Sequence, residues 1–334
     1  MSIPRRASAP QAAAAKPAPP GFYNSTVLIH LGYPKTASTL LQQHVFDSAA
    51  RGCCTPWATL ESHTPGRSHI ARRWTDGGFS DRGVAVAQLK RGIAEAAEAG
   101  LTPVLSEETL VGYIGDPGFD TERVHRLLDL ADAADPAGAY RLLLCIREQR
   151  SMLRSAYAQS IIDGNTGTWH RFLRGPRERT RFRDIRQIGL PYLRYGGLID
   201  LLQQRVGPQR LTVLPLELLR ADAAAFAAGL ARATGRPLSA ADVDDTPRVN
   251  TRPAAAELSV MRRLNRIWPR RGPYELRALT GRFSIARAMA IGRRGRSAAG
   301  LRVVPADIAE GFRADNRRLA ELTGLDLAGL GYLT

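Results

Sequence analysis

The chain carries only three lysines, Lys16, Lys35 and Lys90, among 47 basic residues. One of them, Lys35, sits in IHLGYPKTASTLLQ at 29–42, between a proline and a run of hydroxyl side chains. Lysine is a compact charge on a flexible stem, suited to one crowded oxygen, whereas arginine presents a planar fork. With Gly32 before it and Thr36, Ser38 and Thr39 after it, Lys35 stands where an apolar run gives way to helical spacing. The free N–H groups of a helix start make such a turn an anion site. A second position is Arg147 in LLLCIREQRSMLRSAY, which follows another apolar run and has Ser155 eight residues on. Binding of an anion is one use for it, and a surface ion pair with Glu148 or Asp163 is another. Glu107 and Glu108 in LSEETL close a third apolar run, where acids serve as a general base or as helix caps.

These residues need elements to hold them. Thr26 to Leu31, TPVLS at 102–106, YRLLLCI at 140–146 and RLTVLPLE at 210–217 read as strands. Helical spacing follows each: Thr39 to Phe46, Val124 to Ala131, the stretch from Ser151, and 218–233. Further helices are expected at Val86 to Ala97, Leu193 to Val206 and Pro253 to Arg266, and a last one through Ile308, Phe312 and Leu319 closes at Gly324. Strands alternating with helices predict an α/β fold, a three-layer sandwich around a central parallel sheet with a P-loop-like loop after its first strand and a helical C-terminal part. Residues 49–82 read as a long irregular excursion, and residues 1–21 as a disordered tail ahead of one domain over 22–334.

Composition narrows the class without naming it. A formal net charge of +16 favours an acidic partner, whether nucleotide, anionic lipid, nucleic acid or acidic glycan. Three cysteines, two of them adjacent, have neither zinc-site nor disulfide-framework spacing, which points to a cytoplasmic setting. From Arg262 to Arg302 there are twelve arginines and one acid, Glu275. That segment reads as a solvated face, a contact for an acidic acceptor or the cofactor's tail, or a patch for an anionic membrane surface. No cluster of Asp, Glu and His argues for a metal.

GYPKTAST at 32–39 resembles the phosphosulfate-binding loop of the sulfotransferases that use 3′-phosphoadenosine 5′-phosphosulfate (PAPS), which reads roughly G-x-P-K-[ST]-[GA]-[ST]-T. Arg147 and Ser155 are similar to that family's second motif, an arginine at a strand end and a serine eight residues on. The resemblance implies that Gly32, Pro34, Lys35, Thr36, Ala37, Ser38 and Thr39 hold the phosphosulfate, with Lys35 at the bridging oxygen, and that Arg147 and Ser155 hold the 3′-phosphate. Ala37 replaces the usual glycine, a mild change at a helical φ and a strained one at φ > 0. Gln149 stands before Arg150, where the family often has proline. RVNTRPAAAEL at 248–258 is similar to a late turn of bacterial members, which implies that Arg248, Asn250 and Arg252 close over the nucleotide; FRADNRRLAELTGLDL at 312–327 is similar to their C-terminal helix. LSEETL resembles an S-x-E segment, which implies Glu108 as the general base and Glu107 as the second choice. The implied reaction transfers a sulfuryl group from PAPS to a hydroxyl or amine of a glycan, lipid or small metabolite, leaves adenosine 3′,5′-bisphosphate, and uses no metal.

Other side chains compete for roles. His44 follows the loop on its helix and reads as a packing residue; His30 lies within a strand and reads as structural. His63 and His69, with Trp57 and Trp74, fall in the excursion, where the indoles can stack on an acceptor or pack in a core. Two other functions stand beside sulfuryl transfer. A P-loop kinase would carry a glycine directly before its lysine, where this chain has Pro34. A basic membrane- or nucleic-acid-binding protein on an α/β scaffold would account for the charge, but no nucleic-acid-reading motif is present.

Overall fold

LIHL at Leu28–Leu31 forms β1, with all four residues buried, the pattern of a strand covered on both faces. The computed structural model describes residues 27–58, 67–75, 81–175, 187–244, 255–267 and 303–334. Around β1 lie β2 (Cys53–Cys54), β3 (Thr102–Glu107), β4 (Arg141–Ile146) and β5 (Leu211–Pro215). All pairs are parallel, in the order β2-β3-β1-β4-β5. Alternation along the strands divides the core. Ile29, Leu31, Leu105, Leu142, Leu144 and Ile146 pack on one face with α3 (Arg82–Glu98), α4 (Thr121–Ala134) and α7 (Tyr195–Val206). Leu28, Val104, Leu143, Cys145 and Leu214 pack on the other with Leu41 of α1 (Ser38–Leu41) and with Phe226 and Leu230 of α9 (Ala223–Thr234).

The strand order fixes where a ligand can sit. The chain leaves β1 toward β2 on one side of the sheet and leaves β4 toward β5 on the other. The connections diverge above the carboxyl ends of β1 and β4, and open α/β sheets bind ligands in the crevice such a switch creates. The residues at its rim are the loop after Leu31 and Arg147.

Several elements depart from the expected boundaries. The helix after the loop widens into a π-turn at Gln42–Phe46, closed by Asp47 N–H donating to the Gln42 carbonyl at 3.2 Å. The excursion at 49–82 is not irregular throughout: it holds β2 and a helix, α2 (His69–Thr75). The expected helix at 218–233 is broken into α8 (Leu218–Ala221) and α9, because the Asp222 carboxylate turns to cap α9 at the Ala225 N–H, 2.9 Å away. The last helix is likewise two, α12 (Ala306–Glu310) and α13 (Arg313–Thr323), the second ended by Gly324 at φ 68. Between α5 (Gln149–Ile162) and α7 lies α6 (Trp169–Arg174); α10 (Ala241–Asp244) and α11 (Ala255–Ile267) precede α12. No helix among the described residues is long and apolar enough to cross a membrane. The tail at 1–21, His63, Arg248, Asn250, Arg252 and residues 268–302 of the arginine-rich segment lie outside the described residues.

Candidate active site

Gly32 leaves β1 beside β3, whose register sets Leu31 opposite Glu107. An added Cβ at Gly32 would stand 3.2 Å from both the Glu108 Cα and the Ser38 Oγ, so a side chain there would require its neighbours to give by a few tenths of an ångström. Beyond it the backbone alternates in hand. Lys35 has φ 68 and Ala37 φ 66, while Pro34, Thr36 and Ser38 keep negative φ. Such alternation turns successive N–H groups toward one point, an anion-binding concavity. None of the amides of residues 35–38 donates to a backbone carbonyl among the described residues. Ala37 occupies the left-handed conformation that favours glycine, at a cost of about 1–2 kcal/mol for a residue with a Cβ.

The loop's side chains divide between building the turn and facing the crevice. Thr36 is buried and donates its hydroxyl to the Tyr33 carbonyl at 2.6 Å, which closes the turn from within. Tyr33 is buried edge-on against Tyr192 and Tyr195, with ring centroids 4.8 and 5.0 Å away, and anchors the loop to the core. Lys35 is half-buried and donates from Nζ to Gln159 Oε1 at 2.6 Å. Burial pulls its pKa down and Arg147 adds to the fall, while Glu108 and Asp163 oppose it. The hydroxyls of Thr39 and Ser155 are half-buried and form no hydrogen bond with a described residue.

Arg147 is where the two motifs meet. Its Nη1 donates to the Lys35 carbonyl at 3.0 Å and its Nε to Ser151 Oγ at 3.1 Å, and its own carbonyl accepts from the Tyr195 hydroxyl at 2.8 Å. Glu148 next to it turns the other way. Its carboxylate caps α5 by accepting from the N–H groups of Arg150 and Ser151 at 3.0 and 2.8 Å, and it also takes Arg150 Nε at 2.7 Å. The guanidinium thus lies against the loop, 112 positions earlier in the chain.

The two acids at the end of β3 have different surroundings. Glu107 is fully buried and grips Arg67 bidentately, Oε2 accepting from Nε at 2.9 Å and Oε1 from Nη2 at 2.6 Å. Its Oε1 also accepts from the Thr109 N–H and hydroxyl at 3.2 and 3.0 Å. Glu108 is half-buried beside the loop, close enough to Lys35 and Ser38 for both to act on its carboxyl. Burial pushes its pKa above the ordinary glutamate range, against the pull of Arg67 and Lys35. A carboxyl raised in this way takes a proton more readily than an ordinary glutamate does.

Trp57, Trp74 and His30 are taken up by packing within the fold. Trp57 and Trp74 are buried, their indole N–H groups donating to the Gln88 carbonyl at 3.1 Å and to Gln88 Oε1 at 2.9 Å. His30 is buried in β1, its Nδ1 2.8 Å from Ser106 Oγ. His44 is half-buried on the π-turn.

Sequence reasoning missed Arg67, Ser151 and Gln159. For the latter two a signal existed: Ser151, Ser155 and Gln159 continue from Arg147 in steps of four, one row on a helix surface. Arg67 follows residues without periodicity, and nothing local marks it. Comparison of the chain with models of protein families, with curated proteins and with solved structures finds no match to any of them.

Proposed function

We propose that the chain is a sulfotransferase that takes a sulfuryl group from PAPS to an acceptor hydroxyl or amine. The observation that carries this reading is the contact of the Arg147 guanidinium with the Lys35 carbonyl, which sets an arginine fork beside a loop of converging amides. The residues present fit the cofactor: the amides of 35–38 have no backbone acceptor among the described residues, and an ammonium stands beside them. PAPS supplies the activated sulfuryl group on a phosphate leaving group. In this reading the loop amides and Thr39 hold the phosphosulfate, Lys35 neutralises charge gathering on the departing nucleotide, and Arg147 with Ser155 holds the 3′-phosphate. Glu108 takes the acceptor's proton, while Glu107, engaged by Arg67 and Thr109, positions it. Gln159 holds the Lys35 ammonium until an anion competes for it.

Calorimetry with adenosine 3′,5′-bisphosphate, adenosine 5′-phosphate and ATP tests the assignment. Micromolar affinity for the bisphosphate, weak binding of the other two, and a loss of about tenfold or more in Arg147→Ala are expected. Equal affinity with and without the 3′-phosphate would remove PAPS from consideration.

A further inference from the structure

Resting on the sulfotransferase reading, we infer that Arg154 is a second guanidinium of the 3′-phosphate subsite, acting with Arg147. No residue of α5 is exposed, and those left half-buried are Arg150, Ser151, Arg154, Ser155, Gln159 and Ile162. Arg150 is accounted for by Glu148 and by the Gly331 carbonyl, 2.7 Å from its Nη2. The others fall at i, i+3, i+4, i+8 and i+11 from Ser151, a single stripe on the helix. One end of this stripe touches Arg147 through Ser151. The other touches Lys35 through Gln159. The stripe therefore lines the crevice beside the loop, with Arg154 and Ser155 between its two anchored ends.

Arg154 is the anomaly in that stripe. It is half-buried, yet forms no hydrogen bond or ion pair with any described residue. Arginine withdrawn from water normally has an acceptor, because its five N–H donors otherwise lose hydration without replacement. A phosphate monoester on the crevice floor would supply one. The need is mutual: a dianionic phosphate offers three terminal oxygens, while Arg147 already commits Nε to Ser151 and Nη1 to Lys35. Arg154 brings a full set of donors from α5, one turn beyond Ser151. The same absence of a partner predicts that the ligand-free protein loses no stability when this charge is removed.

The test is calorimetry of adenosine 3′,5′-bisphosphate and adenosine 5′-phosphate against wild type, Arg154→Gln and Arg154→Lys, with thermal unfolding of each. Arg154→Gln should weaken the bisphosphate about tenfold or more and the monophosphate less than about twofold. Its unfolding midpoint should not fall, and Arg154→Lys should recover part of the affinity. An unchanged bisphosphate affinity in Arg154→Gln, or an equal loss for both nucleotides, overturns the assignment of Arg154 while leaving the cofactor standing. A wild type that does not distinguish the two nucleotides overturns the cofactor, and this inference with it.

Discussion

Lowering the pH should weaken the fold through His30, directly beneath the loop. The imidazole is fully buried in β1, with Nδ1 2.8 Å from Ser106 Oγ and the ring tilted against Phe46 at 5.2 Å. Its Nε2 has no hydrogen-bond partner among the described residues, so nothing there compensates a positive charge. Burial pulls its pKa from 6.5 down to about 3. Between those values the unfolded chain binds a proton that the folded chain refuses. The contribution is fully present above pH 6.5, declines as pH falls through the window, and is lost below about 3. One proton corresponds to about 1.4 kcal/mol per pH unit, so a window of roughly 3.5 units amounts to ~5 kcal/mol. That is comparable to the whole stability of many domains, about 5–15 kcal/mol. Glu108, Glu217 and Asp315, raised by burial, run in the opposite direction, so the absolute slope of the wild type is not the readout. Urea midpoints of wild type and His30→Gln between about pH 7 and 4.5 isolate the imidazole. The wild type should lose about 1.4 kcal/mol more per pH unit than the variant over the lower part of that range. Parallel curves would show that His30 is protonated in the fold, and that the pocket under the loop is wetter or better partnered than its contacts indicate.

Two further outcomes follow from the loop itself. Ala37→Gly removes the strain of a Cβ at φ 66, about 1–2 kcal/mol, but adds unfolded-state entropy worth about 0.4–1 kcal/mol; a net gain of ~0.5–1 kcal/mol is expected in a urea titration, and a loss would show that the methyl packs usefully. Glu108→Gln should leave adenosine 3′,5′-bisphosphate affinity within about twofold and reduce PAPS turnover with an accepted hydroxyl compound by about 10²–10⁴. In the wild type the acid limb of that turnover should lie above the ordinary glutamate range, because burial raises the Glu108 pKa, and an unaffected rate in the variant would exclude it as the base.

The central strands were legible because strands buried on both faces are written as unbroken apolar runs. β1, β4 and β5 lie within the stretches read as strands, and β3 runs one residue past its own, through Glu107. β2 was not legible: two cysteines make no pattern, and the strand exists because Cys53 and Cys54 pair with Thr102 and Pro103, a partner almost fifty positions away. The loop's place was readable from Gly32 and the following hydroxyls. The sign of φ at Ala37 was not, since alanine itself prefers negative φ and only the loop's course over β3 forces the other. Arg67 shows the same limit from the other side. Its role depends on where Glu107 ends up, and a long stretch without periodicity gives no hint that it returns to the sheet. It does return there, with Ser68 N–H donating to the Ser106 carbonyl at 2.8 Å and Ser106 N–H to Ser68 Oγ at 3.2 Å.

The position of the crevice and the chemistry it selects have separate causes. Strand order alone brings the ends of β1 and β4 together with their connections diverging, and any anion-binding α/β protein of this order would have a cleft there. A loop of converging amides with one lysine is also unselective, since phosphate and sulfate oxygens ask for the same donors. Discrimination has to come from what flanks the loop. On one side stands a half-buried carboxyl raised by burial, Glu108, which in the proposed reading takes the acceptor's proton. On the other stand Arg147 and the open stripe of α5, whose Ser151, Arg154 and Ser155 add donors beyond what the loop's own anion requires. In the proposed reading a ligand with two separate anionic ends would use both sides, and a nucleotide phosphorylated at one end only would leave part of those donors without an acceptor.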